Sequence, residues 1–234
     1  MKTLRGAKNS TVKLGVQRGN SPELLYFDVT RGDVPVNSVD VSYEAAKGIG
    51  YIKVSKFARN TYNEFITAIA KLKQAGCTSF VIDLRGNTGG YMDAAINMIN
   101  EFMPEGRLIV YTEGKSFPRS DVYANGTGTC KDAPIVVLTD EISASASEIF
   151  SGAIQDNDRG TIIGRRTYGK GLVQTQMSLS DGSEMRLTIA RYYTPSGRCI
   201  QKKYEMGNTD AYDQDIYNRY MHGEFDSADS IKMD

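Results

Sequence analysis

Three serines at alternate positions, Ser143, Ser145 and Ser147, follow the apolar run Pro134-Ile-Val-Val-Leu-Thr139 and open a helical pattern. Serines placed where a strand turns into a helix lie beside backbone N–H groups that lack intrahelical partners, and the dipoles of those groups favour negative charge. A nucleophile whose product is an oxyanion is well placed there. A second apolar run, Thr161-Ile-Ile163, leads to a lysine between two glycines, Gly169-Lys170-Gly171. Lysine can take a serine's proton when burial lowers its pKa enough to leave it neutral. The glycines give it no side-chain cover, so that burial has to come from the surrounding core. The residues therefore suggest a serine–lysine dyad with three eligible serines.

Other chemistries compete for the same stretch. Serines at a helix start are commonly plain caps. Gly164-Arg-Arg-Thr-Tyr-Gly169-Lys170 fits seven positions of a phosphate-binding loop, but the eighth is Gly171 where a magnesium-binding hydroxyl is needed. Leu172-Val-Gln-Thr-Gln-Met177 then reads as a strand, not the required helix. Ser–His–Asp catalysis is disfavoured, because the only histidine is His222, in a polar stretch, and no G-x-S-x-G elbow occurs. A metal site at His222 lacks a second ligand at useful spacing. Ser10-Thr-Val-Lys13 matches S-x-x-K, but in a strand its two polar side chains face opposite ways.

S-A-S-A-S-E-I, the following G-A-I-Q-D, and T-Y-G-K-G-L-V-Q resemble, in order and spacing, the signature of the carboxyl-terminal processing (tail-specific) serine peptidases. The resemblance runs from about Leu4 to about Lys203. In that family the lysine lies twenty-five positions after the nucleophile, which selects Ser145 to pair with Lys170. The family's third active-site residue falls on Gln174, whose amide would orient the lysine without adding charge. Arg85-Gly-Asn-Thr-Gly-Gly90 resembles the family's D-L-R-x-N-x-G-G turn, which supplies one oxyanion-hole N–H from a glycine. That glycine maps to Gly89, with Gly90 as the other choice, and the second donor maps to Ala146. The resemblance implies a ClpP/crotonase-like α/β core of stacked ββα units. It also implies a serine endopeptidase that cuts proteins near apolar or small C-terminal residues, with no metal or cofactor. An inactive peptide-binding relative and a crotonase-like acyl-CoA enzyme are the alternatives.

The surrounding chain supplies elements to position these residues. Its 234 residues are ample for a core, and 28 basic against 28 acidic residues leave no basic footprint for nucleic acid. No apolar run is long enough to span a membrane. Cys77, Cys130 and Cys199 read as free thiols. Gly50–Phe57 alternates as a half-buried strand, and Thr61-x-x-Glu64 reads as a capping box opening a helix that buries Tyr62, Phe65, Ile66, Ile69 and Leu72. Ser79–Leu84 is the expected central strand, followed by the glycine turn and a helix carrying Ala94, Ala95, Met98, Ile99 and Phe102. Lys115–Asp132 reads as a surface loop, and Leu172–Leu179 with Met185–Tyr193 as a hairpin that carries Gln174 on Lys170's strand face. Glu148 reads as structural. A short helix near Asp213–His222 would turn Ile216, Tyr217, Tyr220 and Met221 to one side.

By resemblance, residues 1–31 are the end of a PDZ-like domain, residues 32–203 the catalytic core and residues 204–234 a polar extension. Met1 is then internal to a longer natural protein, whose export would make it extracytoplasmic, in the periplasm or held at a membrane facing out. Self-association stays open.

Overall fold

A computed structural model describes residues 4–33, 37–203, 209–227 and 230. The chain divides into two compact units, Met1–Asn37 and Ser38–Asp234. In the first, β1 (Thr11–Gln17) and β2 (Leu24–Thr30) form an antiparallel hairpin. Arg31 closes it, donating from Nε to Leu4 O and from Nη1 to Ser10 Oγ, both at 2.8 Å.

The second unit is a mixed α/β fold. Its main sheet takes the order β3-β4-β5-β8-β9, formed by Val39–Ala46, Ile49–Val54, Ser79–Asp83, Ile135–Thr139 and Thr161–Gly164. The four strands from β4 to β9 run parallel, and β3 is an antiparallel edge. Ile52, Val54, Phe80, Ile82, Ile135 and Val137 point to one face and are buried there, while the residues between them are half-buried. Helices α1 (Thr61–Gln74), α2 (Met92–Asn100) and α3 (Ala146–Asp156) supply much of that core. Phe102 lies at its centre, with its ring edge-on to Phe65, Phe80 and Phe150 at centroid distances of 6.2, 6.4 and 6.5 Å.

A second sheet of order β10-β11-β6-β7 comprises Leu172–Ser178, Glu184–Tyr193, Leu108–Gly114 and Phe117–Tyr123. Two short helices follow, α4 (Thr209–Asp213) and α5 (Asp215–Met221). Among the described residues no helix is long and apolar enough to cross a membrane.

Two expectations change and a third gains detail. The capping box at Thr61 does not form. Asn60 precedes the first helical turn, Thr61 Oγ1 accepts from Ala58 N–H, and Glu64 instead accepts from the N–H groups of Ser38 and Val39 at 2.6 and 3.0 Å. Those two donors at the start of β3 outcompete the helix end for the carboxylate. The stretch read as a loop over Lys115–Asp132 contains β7. This strand takes the sheet edge, where Pro118 withholds no needed ladder bond. Finally, α5 leaves Tyr217, Tyr220 and Met221 exposed and buries Arg219 instead.

Candidate active site

Three loops leave the carboxyl ends of the adjacent parallel strands β5, β8 and β9, where open α/β sheets place their ligands. They carry the Gly89–Gly90 turn, the serine cluster and Lys170. Sheet order thus brings together segments that are far apart in sequence.

The serine loop separates its three hydroxyls. Ser143 is buried and donates to Leu84 O at 2.9 Å, while its oxygen accepts from Asp140 N–H. Ser147 is also buried, and its hydroxyl donates to Asn87 O at 2.9 Å. Both therefore bind the neighbouring turn. Ser145 is half-buried and sits just before α3 with φ 56° and ψ −112°. A non-glycine residue held there stores roughly 1–3 kcal/mol of strain, a feature that clusters at functional sites. A strained strand-to-helix turn is also the backbone shape of a nucleophile elbow, here without the flanking glycines that mark the elbow in sequence.

The glycine turn lies against this elbow. A Cβ on Gly89 would fall 2.7 Å from Ser145 Cβ and 3.0 Å from Ala146 N, so only glycine permits the approach. Asn87, fully buried, braces the two turns. Its amide donates to Val54 O, its Oδ1 accepts from Gly89 N–H at 2.8 Å, and its carbonyl accepts from Ala144 N–H and the Ser147 hydroxyl. Asp140 adds a second brace, accepting from the N–H groups of Gly86, Ile142 and Ser143. Of the expected oxyanion donors, Gly89 N–H is thus occupied by Asn87. The N–H groups of Gly90 and Ala146 have no partner among the described residues.

Beneath the turn, Asp83 is 1% exposed and binds Lys53, Arg85 and Tyr51. Lys53 also donates to Arg85 O, which ties the turn's first peptide to β4. Burial alone would raise the Asp83 carboxyl, but hydrogen bonds from Arg85 and Tyr51 outweigh it and hold it well below the usual carboxylate range. Burial and the bond to Asp83 push Tyr51 up to about 12. A depressed folded pKa means that the stabilisation is present above the ordinary aspartate value of about 3.9 and fades as pH falls through the folded value. Asp83→Asn should cost about 2–3 kcal/mol in urea unfolding at pH 7, below the usual range for a broken buried pair because Arg85 can turn to solvent. The acid-side slope should shrink with it, and unchanged unfolding curves at both pH values would contradict this role.

Glu148 joins the serine and lysine loops. It is 4% exposed, one turn into α3, and its Oε2 accepts from the N–H groups of both Ser145 and Lys170 at 2.8 Å. Its Oε1 accepts from Thr167 Oγ1 at 2.8 Å and Gly169 N–H at 2.6 Å. The main chains of the two expected dyad residues therefore lie two hydrogen bonds apart. Tyr168 N–H adds a direct link to Ser143 O at 3.0 Å. Burial pushes the Glu148 carboxyl up, and the four donors offset only part of that.

Lys170 departs from the expected burial. Its side chain is exposed, and among the described residues its ammonium has no hydrogen bond or ion pair. The glycines on both sides give it no side-chain cover. Gln174 departs from the expected geometry too. Lys170 precedes β10, and a bulge between Val173 and Gln174 breaks the alternation that would put them on one face. The exposed Gln174 amide faces Thr188 Oγ1 at 3.5 Å, and no hydrogen bond joins it to Lys170. The phosphate-loop alternative is also set aside, since the loop after β9 leads into a strand.

Asn87 and Asp140, which hold the turns together, were left without roles by sequence reasoning, whereas Glu148 was read as structural and does join two loops. Asn87 and Glu148 lay inside the quoted motifs; the available signal was a polar residue flanked by tightly patterned small ones.

Residues 48–210 match peptidase family S41, and the chain belongs to that family. It is 37% identical over 202 residues to a carboxyl-terminal-processing protease of Synechocystis, covering 85% of this chain and 47% of that protein. It is 32% identical to a carboxy-terminal processing protease of Bacillus subtilis, covering 86% and 42%. Among solved structures, the photosystem II D1 C-terminal processing protease aligns with a TM-score of 0.65 at 32% identity, covering 84% of this chain and 54% of that one. The chain spans about half the length of the curated relatives it matches.

Proposed function

We propose that this chain is the catalytic part of a serine peptidase that cleaves proteins near their C-termini. The observation that carries the reading is the Ser145 elbow. Of three neighbouring serines, one alone is released from the turn's carbonyls, and it is held in a strained conformation against Gly89 and Ala146. Ser145 Oγ attacks a peptide carbonyl and gives its proton to the unprotonated Lys170 amine. The tetrahedral oxyanion binds Ala146 N–H and one N–H of the Gly89–Gly90 pair. Gly90 is the readier of the two, because Asn87 Oδ1 already takes the Gly89 proton. A correctly aimed donor of this kind contributes about 3–4 kcal/mol to the transition state. Lys170 then protonates the leaving amine, and water releases the acyl group from Ser145. The exposed lysine stem must move toward Ser145 and be covered by bound substrate, and Gln174 is the residue we assign to orient it.

The family likeness supports the wider frame of the proposal. Residues 32–203 correspond to a ClpP/crotonase-like core, and residues 1–31, with the β1–β2 hairpin, to the end of a PDZ-like domain. The native protein acts outside the cytoplasm on substrates with apolar or small C-terminal residues. Mass spectrometry of a protein carrying such a tail, incubated with this chain, should find a shortened C-terminus. Cleavage that persists undiminished in Ser145→Ala would contradict the proposal.

A further inference from the structure

The C-terminal segment does more than extend the chain. Arg219 on α5 is 4% exposed, although Tyr217, Tyr220 and Met221 on the same helix stay exposed. A helix that hides its arginine and shows its apolar residues is not packed for hydrophobic burial. The guanidinium reaches the lysine loop. Its Nη2 donates to Arg166 O at 2.5 Å, and its Nη1 donates to Thr167 O at 3.3 Å. Its Nε donates to Glu224 Oε1 at 2.8 Å. Glu224 is itself buried and accepts from Arg166 at 3.2 and 2.9 Å, so one carboxylate anchors an arginine from each segment. A second contact lies alongside. Lys202 stacks between the rings of Tyr168 and Tyr212 at 4.4 and 4.1 Å and pairs with Asp215 at 3.2 Å.

The loop between β9 and β10 needs such support. It contains Gly169 and Gly171, and Glu148 holds the Thr167 hydroxyl and the amides of Gly169 and Lys170 but none of the loop's carbonyls. The carbonyls of Arg166 and Thr167 are met by Arg219. A guanidinium suits this task, because it is always charged and presents its donors in a fixed fork. A buried ion pair is by itself weak ground for stability, which leaves positional specificity as the use of this one.

We propose that Arg219, braced by Glu224, is a positioning residue for Lys170. It clamps the Arg166–Thr167 carbonyls while Glu148 holds the Thr167 hydroxyl and the following amides, and together they fix where the lysine stem starts. This rests on the reading of Ser145 and Lys170 as a dyad.

The test compares wild type with Arg219→Met, Arg219→Lys and the double variant Arg219→Met/Glu224→Met, which leaves no unpaired buried carboxylate. Amide exchange should speed up by roughly tenfold or more across residues 164–171 while α1 stays protected. On a peptide substrate kcat should fall by roughly 10- to 100-fold with KM nearly unchanged, since a small misplacement costs rate and not binding. Arg219→Lys should recover part of the loss. Unchanged exchange in the loop would overturn the proposal, as would faster exchange with wild-type kcat per folded molecule. Turnover that survives Ser145→Ala would instead remove the dyad reading and its link to Arg219, while the exchange data would still report whether Arg219 holds the loop.

Discussion

Ser145→Ala and Lys170→Ala should each reduce peptide hydrolysis by roughly 10⁴-fold or more, and the double variant should be little worse than either. The reasoning is chemical. Proton transfer from a serine hydroxyl to a lysine amine is one step, and losing either partner loses all of it. Residual rate would come from the oxyanion donors and substrate binding, which both substitutions leave in place. Neither change should move the melting temperature by more than a few degrees. Lys170 is exposed and has no ion pair among the described residues, so its truncation is a surface substitution worth about 0.5 kcal/mol or less. Steady-state kinetics of the four proteins decide the matter, and losses that multiply in the double variant would show two independent roles.

Glu148→Ala should have the largest effect on stability. Removing the carboxylate strips the acceptor from the N–H groups of Ser145, Gly169 and Lys170 and from the Thr167 hydroxyl. Each buried donor left unpaired costs about 1–3 kcal/mol, so a loss of about 4 kcal/mol or more is expected. That is a large share of a domain's 5–15 kcal/mol. Glu148→Gln should be milder, at about 1–3 kcal/mol, because its amide can turn toward the Thr167 hydroxyl and orphan only Gly169 N–H. The pH dependence separates wild type from the glutamine variant. Burial raises the folded pKa of Glu148, so the folded chain holds this proton more tightly than the unfolded one. Its contribution to stability is full below the ordinary glutamate value of about 4.3 and is lost as pH rises through the raised value. Glu148→Gln should lack that slope, and urea unfolding across this pH range would show it.

Much of this arrangement was legible in the sequence, for physical reasons that differ by element. The run Ser79–Leu84 read as a central strand because a core strand must be nearly continuously apolar, and β5 does lie between β4 and β8. The α1 stripe was legible because Phe65, Ile69 and Leu72 repeat at the helical period. β3 was missed although Val39, Val41 and Tyr43 alternate, because as an edge strand it exposes most of its residues. β7 was missed for the same reason, compounded by its proline and polar residues. The site residues were harder. Ser143, Ser145 and Ser147 have one chemistry in sequence and were told apart there by family spacing. In the structure they are distinguished by which carbonyl each hydroxyl meets. The bulge at Val173/Gln174 and the exposure of Lys170 depend on loop paths that no local pattern encodes. Arg219 read as part of a polar tail, since a buried cation announces itself only through partners such as Arg166 and Thr167.

The central claim is that Ser145 is the activated nucleophile. The most direct measurement is mass spectrometry of the chain after treatment with a serine-acylating fluorophosphonate, in wild type and in Lys170→Ala. A single adduct should map to Ser145 in wild type and be strongly reduced in Lys170→Ala. An adduct on Ser143 or Ser147, or equal labelling of Ser145 without the lysine, would contradict the account.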